Sequence, residues 1–160
     1  MWASDFASNA HTDESPDAVV VGDLGEDFSY QALNRAFRLL AGGAEFVTLA
    51  RNRFYKASDG LVLDQGPFVA ALELASGHEA TLVGKPSAEF YGAALSLLNA
   101  EPGHTVAVGD DIAVDVGGAQ ALGLRGVLVR TGKYREQDLA ASAVRPDAVM
   151  DSLADLPALL

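Results

Sequence analysis

Cysteine is absent from the 160 residues, which excludes disulfides, a thiolate nucleophile and a thiolate zinc site. On that ground a reducing cytoplasm is the expected compartment. Cations are scarce too: 11 Lys plus Arg stand against 22 Asp plus Glu, a formal net charge of -11. That balance argues against polyanionic partners, so neither nucleic acid nor an anionic membrane is expected. No apolar run approaches the roughly 20 residues of a membrane-spanning helix. No Lys or Arg precedes Arg35, so the basic start of a signal peptide is missing as well. His11, His78 and His104 share no ligand spacing and read as surface or turn residues.

What remains is apolar and regular. At 49% hydrophobic and 21% charged, the chain suits one compact domain, or pieces of two, with a sizeable core. Residues 1–16 mix Ser, Asp, Asn and Thr without period and read as an unstructured lead-in, with Trp2 and Phe6 as the only anchoring hints. Strands are expected at 18–21, 45–50, 80–83, 105–108 and 126–130, and helices at about 30–40, 67–76, 88–98 and 113–122. A hairpin-like irregular stretch runs through Gly60, and a last short strand and helix close the chain. Leu33, Ala36, Phe37 and Leu40 share one helix face, with Ser29 as cap and Gly42–Gly43 as stop. Short, non-alternating apolar strands predict a parallel sheet covered by helices, hence an α/β fold.

In such sheets ligands gather beyond the carboxyl ends of the strands. The stretch "VAVGDDIAVDVGG", 106–118, puts Asp110, Asp111 and Asp115 at such an end. Three neighbouring carboxylates repel one another, and a cation among them relieves the repulsion. "TLVGKPS" puts Lys85 at an equivalent place, and only Lys56 and Lys133 are its fellow lysines. A Lys facing Asp residues across a sheet edge suits a phosphate held together with a divalent cation. The candidate ligands are hard oxygens, which favours Mg²⁺. Each feature has a bland counterpart. An isolated Gly-Asp-Asp is often a turn or helix cap. Gly117 and Gly118 serve close helix packing more readily than phosphate binding. Arg53, Tyr55 and Lys56 in "RFYK" contact substrate or form a solvated hairpin tip. "GKP" lacks the earlier glycine of a Walker loop, and Ser76 lacks a nucleophile-elbow pattern.

"GKPSAEFY" followed by "VAVGDDIAVDVGGAQALGLRGVLVRTGKY" resembles motifs III and IV of the haloacid-dehalogenase-like (HAD) phosphatases, Lys85 preceding Asp110 by 25 residues. "PDAVVVGDLGEDFSYQALNRAF", "RFYKASDGLVLDQGPFVAALELASG" and "TGKYREQD" extend the resemblance upstream and downstream, toward the branch that hydrolyses phospholysine, phosphohistidine and inorganic pyrophosphate. It implies residues 17–78 as part of an α/β cap domain and 79–160 as the carboxy-terminal half of a Rossmann-like HAD core. It also implies Lys85 on the phosphoryl group and nucleophile, Asp110 on Mg²⁺, and Asp111 or Asp115 in the outer shell. The cap supplies Arg53, Tyr55 and Lys56 as candidate contacts to a small phosphorylated substrate.

The family's nucleophile and general acid lie in an Asp-x-Asp motif, and no two aspartates here are separated by one residue. Asp23 ends a strand, but Gly25 stands two positions on, in the cap segment. A carboxylate nucleophile is needed for an aspartyl-phosphate, so the chain alone is expected to be inactive. The expectation is a fragment or a start assigned too late, with Met1 internal to the cap. The alternative is a natural truncated protein, a noncatalytic HAD scaffold that binds a ligand or forms a homodimer.

Overall fold

The computed structural model describes residues 16–158. The lead-in expected over 1–16 thus lies outside the described residues except for Pro16. From there the chain forms β1 (Ala18–Val21), α1 (Tyr30–Ala41), β2 (Glu45–Thr48), β3 (Phe54–Ala57), β4 (Gly60–Leu63), α2 (Gly66–Ser76) and β5 (Thr81–Leu82). It continues through α3 (Ala88–Leu98), β6 (Val106–Gly109), a π-helical turn (Ile112–Gly117) running into α4 (Gly118–Ala121), β7 (Arg125–Val129), α5 (Glu136–Ala141) and β8 (Ala148–Met150).

The strands form two parallel sheets, β1-β2-β5 and β6-β7-β8, and one antiparallel hairpin, β3-β4. The fold is α/β with parallel sheets, as expected. The expected boundary between 78 and 79 falls just before β5, which pairs with β2 and so belongs to the first sheet.

The first sheet is covered by α1 and α2. Ser29 caps α1 by accepting from the Ala32 amide at 3.2 Å, and Leu40, Phe46, Val69, Leu72 and Ala80 close the core beneath it. Phe28 stacks on Phe68, ring centroids 3.9 Å apart, and ties the approach to α1 onto α2. The strands of this sheet are not buried on both faces, contrary to expectation: Val20 is 49% exposed while Val21 is buried. Val21 packs among the α1 and α2 side chains of this core, and alternation turns Val20 the other way.

The second sheet fits the two-faced expectation at its centre, where β7 buries Gly126, Val127, Leu128 and Val129 in succession. Tyr91 of α3 and Ala119 of α4 pack with Leu124 in one cluster, and Val127, Val129 and Met150 form another. The single helix expected over 113–122 is instead a wide turn followed by a short helix. The Val116 amide reaches back five residues to the Asp111 carbonyl at 3.3 Å, and the Gly118 amide reaches Ala113 in the same way.

Leu40 has no exposed surface. Leu40→Ala is expected to cost about 2–5 kcal/mol, read as a lowered urea midpoint. A loss below about 1 kcal/mol would mean that the α1 seam is not the core it is taken for.

Candidate functional site

Three turns meet at the carboxyl ends of the strands. The first follows β6. Asp110 leaves the strand and its Oδ2 accepts the Lys133 amide at 2.7 Å. Asp111 caps the π-helical turn, its Oδ1 accepting from the amides of Ala113 and Val114 at 3.1 and 3.0 Å. Asp115, inside that turn, is only 7% exposed.

Asp115 is the residue that Lys85 reaches. Lys85 Nζ donates to Asp115 Oδ1 at 2.7 Å, and the Asp111 amide donates to Oδ2 at 3.1 Å. Both oxygens of a nearly buried carboxylate are thereby satisfied, one of them by a charge. Lys85 is placed by β5 on one side and by α3 on the other, where Ser87 accepts from the Phe90 amide at 3.3 Å.

The backbone around these carboxylates leaves no room for side chains. A Cβ on Gly109 would stand 2.2 Å from Asp115 Oδ2, and one on Gly132 would stand 1.8 Å from Asp110 Oδ2. Gly132 also has φ +52°, a conformation that favours glycine. Gly118 lies against Pro86 and Tyr91, which bears out close helix packing as its task.

Tyr91 holds the turn from below. Its hydroxyl lies 3.1 Å from the Val114 carbonyl and 3.0 Å from that of Asp115, and donates to this pair. Burial first, and then the Asp115 charge, push the Tyr91 phenol up to about 12.

The second turn leaves β2. Thr48 is fully buried and donates to the Ala50 carbonyl at 2.9 Å, while Gln65 Nε2 donates to Thr48 Oγ1 and Ala50 O at 3.1 and 2.9 Å. Arg51 forks onto both Glu73 oxygens at 3.1 and 2.6 Å and also donates to Ala80 O at 2.9 Å. The Arg51 hydrogen bonds hold the Glu73 carboxyl below its ordinary range.

This rigid exit delivers Arg53 and Phe54 to the wall of a cavity of about 440 Å³. Asp110, Asp111, Lys133, Arg135 and Asp138 line it from the other side. Of the hairpin candidates, Arg53 lines the cavity; Tyr55 and Lys56 sit further along β3, opposite Val62 and Leu61, and do not. Lys85 is not among the residues that line the cavity and is bonded to Asp115.

Phe54, Lys133, Arg135, Gln65 and Tyr91 were missed as site residues. The signal for Lys133 and Arg135 was present: "TGKYR" follows β7 as the other two groups follow β5 and β6.

The sequence family described as HAD-hydrolase-like matches residues 82–156. The chain is 51% identical over 141 residues to phospholysine phosphohistidine inorganic pyrophosphate phosphatase of Danio rerio, covering 87% of this chain and 52% of that protein. It resembles the structure of 4-nitrophenylphosphatase from Thermotoga maritima with a TM-score of 0.85 at 27% identity, over 96% of this chain and 60% of that one. It also resembles glycerol phosphate phosphatase from Mycobacterium tuberculosis, solved in complex with magnesium, with a TM-score of 0.79 at 29% identity, over 89% and 43%. The chain spans about half the length of the relatives it matches.

The raised Tyr91 value favours the neutral phenol in the folded protein, so its stabilising contribution is complete below the unfolded value near 10. It is expected to fade as pH rises from there through about 12. Alkaline unfolding curves should show this limb, and Tyr91→Phe should remove it while costing about 1–3 kcal/mol at neutral pH through the unpaired carbonyls. An identical alkaline limb in the variant would contradict the assignment.

Proposed function

We propose, on the premise that this chain belongs to the HAD-like hydrolases, that it forms the metal- and phosphoryl-binding side of a Mg²⁺-dependent phosphatase acting on small phosphorylated compounds. The observation that carries this is the meeting of Lys85, from the end of β5 in one sheet, with the Asp110–Asp111–Asp115 turn after β6 in the other, beside a cavity lined by Arg53, Lys133 and Arg135 as well as by Asp110 and Asp111. The cytoplasm remains the expected compartment; no helix among the described residues is long and apolar enough to cross a membrane.

The donor set fits Mg²⁺. Asp110 Oδ2 is taken by the Lys133 amide, which leaves Oδ1 without a protein donor among the described residues. No group of three acidic or histidine side chains forms a metal cage among them. A hard cation that keeps several waters and is completed by substrate oxygens needs only one or two protein carboxylates. Bound at Asp110, Mg²⁺ supplies charge neutralisation on the phosphoryl oxygens.

The chain's own residues do the rest of the holding. One Lys85 proton goes to Asp115, leaving two donors on the same ammonium for phosphoryl oxygens. Asp115 fixes that ammonium, and Asp111 shapes the turn as an outer-shell residue. Arg53 meets the substrate from the hairpin, and Tyr55 and Lys56 flank it on β3.

In the proposed reaction a carboxylate oxygen attacks phosphorus, the bond to the leaving oxygen or nitrogen breaks, and water then cleaves the aspartyl-phosphate to release phosphate. None of these 160 residues forms an Asp-x-Asp pair. The nucleophile and its general acid are therefore supplied from outside them.

The alternative is a noncatalytic scaffold that pairs with a second copy. One observation favours it: among the described residues β6 pairs with β7 alone, leaving an uncharged outer edge open.

With Mg²⁺ and p-nitrophenyl phosphate the chain alone is expected to show negligible turnover. Turnover abolished by Asp110→Asn would mean that these residues do hold a nucleophile. Calorimetry should find weak Mg²⁺ binding that is lost in Asp110→Asn and in Gly132→Ala, whose new methyl collides with Asp110 Oδ2. Affinity unchanged in both variants would remove Asp110 from the metal site.

A further inference from the structure

The β3-β4 hairpin is a sheet of two strands, and among the described residues neither strand has a second neighbour. Such a pair is marginal on its own in water, and a third strand or a helix normally steadies it. This one turns apolar side chains outward: Leu61 and Leu63, which share a face by alternation, are 61% and 62% exposed. Beside them lies an open groove of about 320 Å³, lined by Arg53, Phe54, Leu61, Val62, Leu63 and Pro67.

The backbone of β4 has an open side as well. The Asp64 amide donates to the Arg53 carbonyl at 3.3 Å, which makes Arg53 and Asp64 a hydrogen-bonded pair of the ladder. Antiparallel ladders alternate, so Tyr55–Val62 and Ala57–Gly60 are the next such pairs. Leu61 and Leu63 consequently point their amides and carbonyls away from β3. No backbone hydrogen bond from a turn or loop reaches these four groups among the described residues.

Charge decides what can approach this edge. At a net charge of -11, copies of the chain repel one another. The edge strands β1 and β8 lie between Asp17 and Asp23 and between Asp147 and Asp151, and β6 runs into Asp110 and Asp111. The stretch from Arg53 to Asp64 is instead neutral, because Arg53 and Lys56 offset Asp59 and Asp64. A second copy meets least repulsion there.

We propose that β4 pairs with β4 of a second copy, antiparallel about a twofold axis at Val62, to make one four-stranded sheet. In that register Leu61 stands opposite Leu63 of the second copy, and the two exchange their outward amide–carbonyl bonds, once on each side of the axis. The four leucines then cover one another on one face, next to both grooves. A shift by one residue would set outward groups against inward ones and place Asp59 opposite Asp64 of the second copy. Both β4 edges are consumed, so association stops at the dimer. Pairing four residues a side falls short of the roughly 800 Å² per partner of a standard interface, so the dimer is weak. It leaves the β6 edge free and holds whether or not the site hydrolyses a substrate.

Sedimentation velocity of the whole chain should show a monomer at low concentration and a dimer, with nothing larger, as concentration rises. Leu61→Lys should raise the dissociation constant about tenfold or more by setting a charge against Leu63 of the second copy. Should that variant fail to fold by circular dichroism, Leu63→Lys makes the same contact from the other strand and should act alike. Because the chain has no cysteine, Val62→Cys supplies a single thiol. Across the axis it forms a non-hydrogen-bonded pair with Cα atoms about 4.5 Å apart, within disulfide reach. It should cross-link under mild oxidation much faster than Leu74→Cys, although Leu74 is 89% exposed. A chain that stays monomeric at every concentration, a dimer unweakened by the lysine variants, or Leu74→Cys cross-linking as fast as Val62→Cys would overturn the inference.

Discussion

Asp115 is the constraint from which the site is built. A carboxylate nearly closed off from water needs a partner for each oxygen, and it finds one in Lys85 and the other in the Asp111 amide. Those two bonds join the end of β5 to the end of β6, which belong to different sheets. The wide π-helical turn is what brings the Asp115 side chain back under its own strand end, against Gly109. The Tyr91 hydroxyl takes up the carbonyls at its end. Removing any one of these would leave a buried polar group without a partner, which makes the arrangement an all-or-none unit.

Around that unit the electrostatics divide by wall. The acidic turn after β6 leaves Asp110 Oδ1 and Asp111 Oδ2 without a protein donor among the described residues, while Asp115 is turned toward Lys85 and the Asp111 amide. The hairpin and the loop after β7 present cations instead, and the Arg51–Glu73 fork with the buried Gln65–Thr48 bonds keeps the hairpin side from drifting. The proposed site sets Asp110 on one side of the cavity and the guanidinium groups of Arg53 and Arg135 on the other. In a chain this acidic, that concentration of cations is the feature with the clearest functional meaning.

Much of this was legible in the residues. The expected bounds of α1, α2 and α3 agree closely with the observed ones, and for α1 the Ser29 cap and the Gly42 stop are signals that act locally. Lys85 and the Asp cluster were recognisable because strand ends collect functional groups whatever the rest of the chain does. The division into two sheets was not legible, since β5 is two residues long and its choice of β2 as partner is a tertiary matter. The one-sided cover of β1 was hidden for the same reason: "AVVV" reads alike with one face covered or two. Arg135 had a legible signal in its place after β7, but its contact with Phe54, 81 positions away in sequence, is a tertiary matter. Tyr91 carried no signal of its own in the sequence; the Val114 and Asp115 carbonyls are what give its hydroxyl a task.

The central claim is that Lys85 and Asp110 act on one bound phosphate although they do not touch each other. A double-mutant cycle for orthophosphate binding in Mg²⁺, using Lys85→Met, Asp110→Asn and the double variant, tests it most directly. The account predicts that the double variant loses clearly less affinity than the sum of the two single losses, because either change alone already empties the shared site. Strictly additive losses, or none, would contradict it.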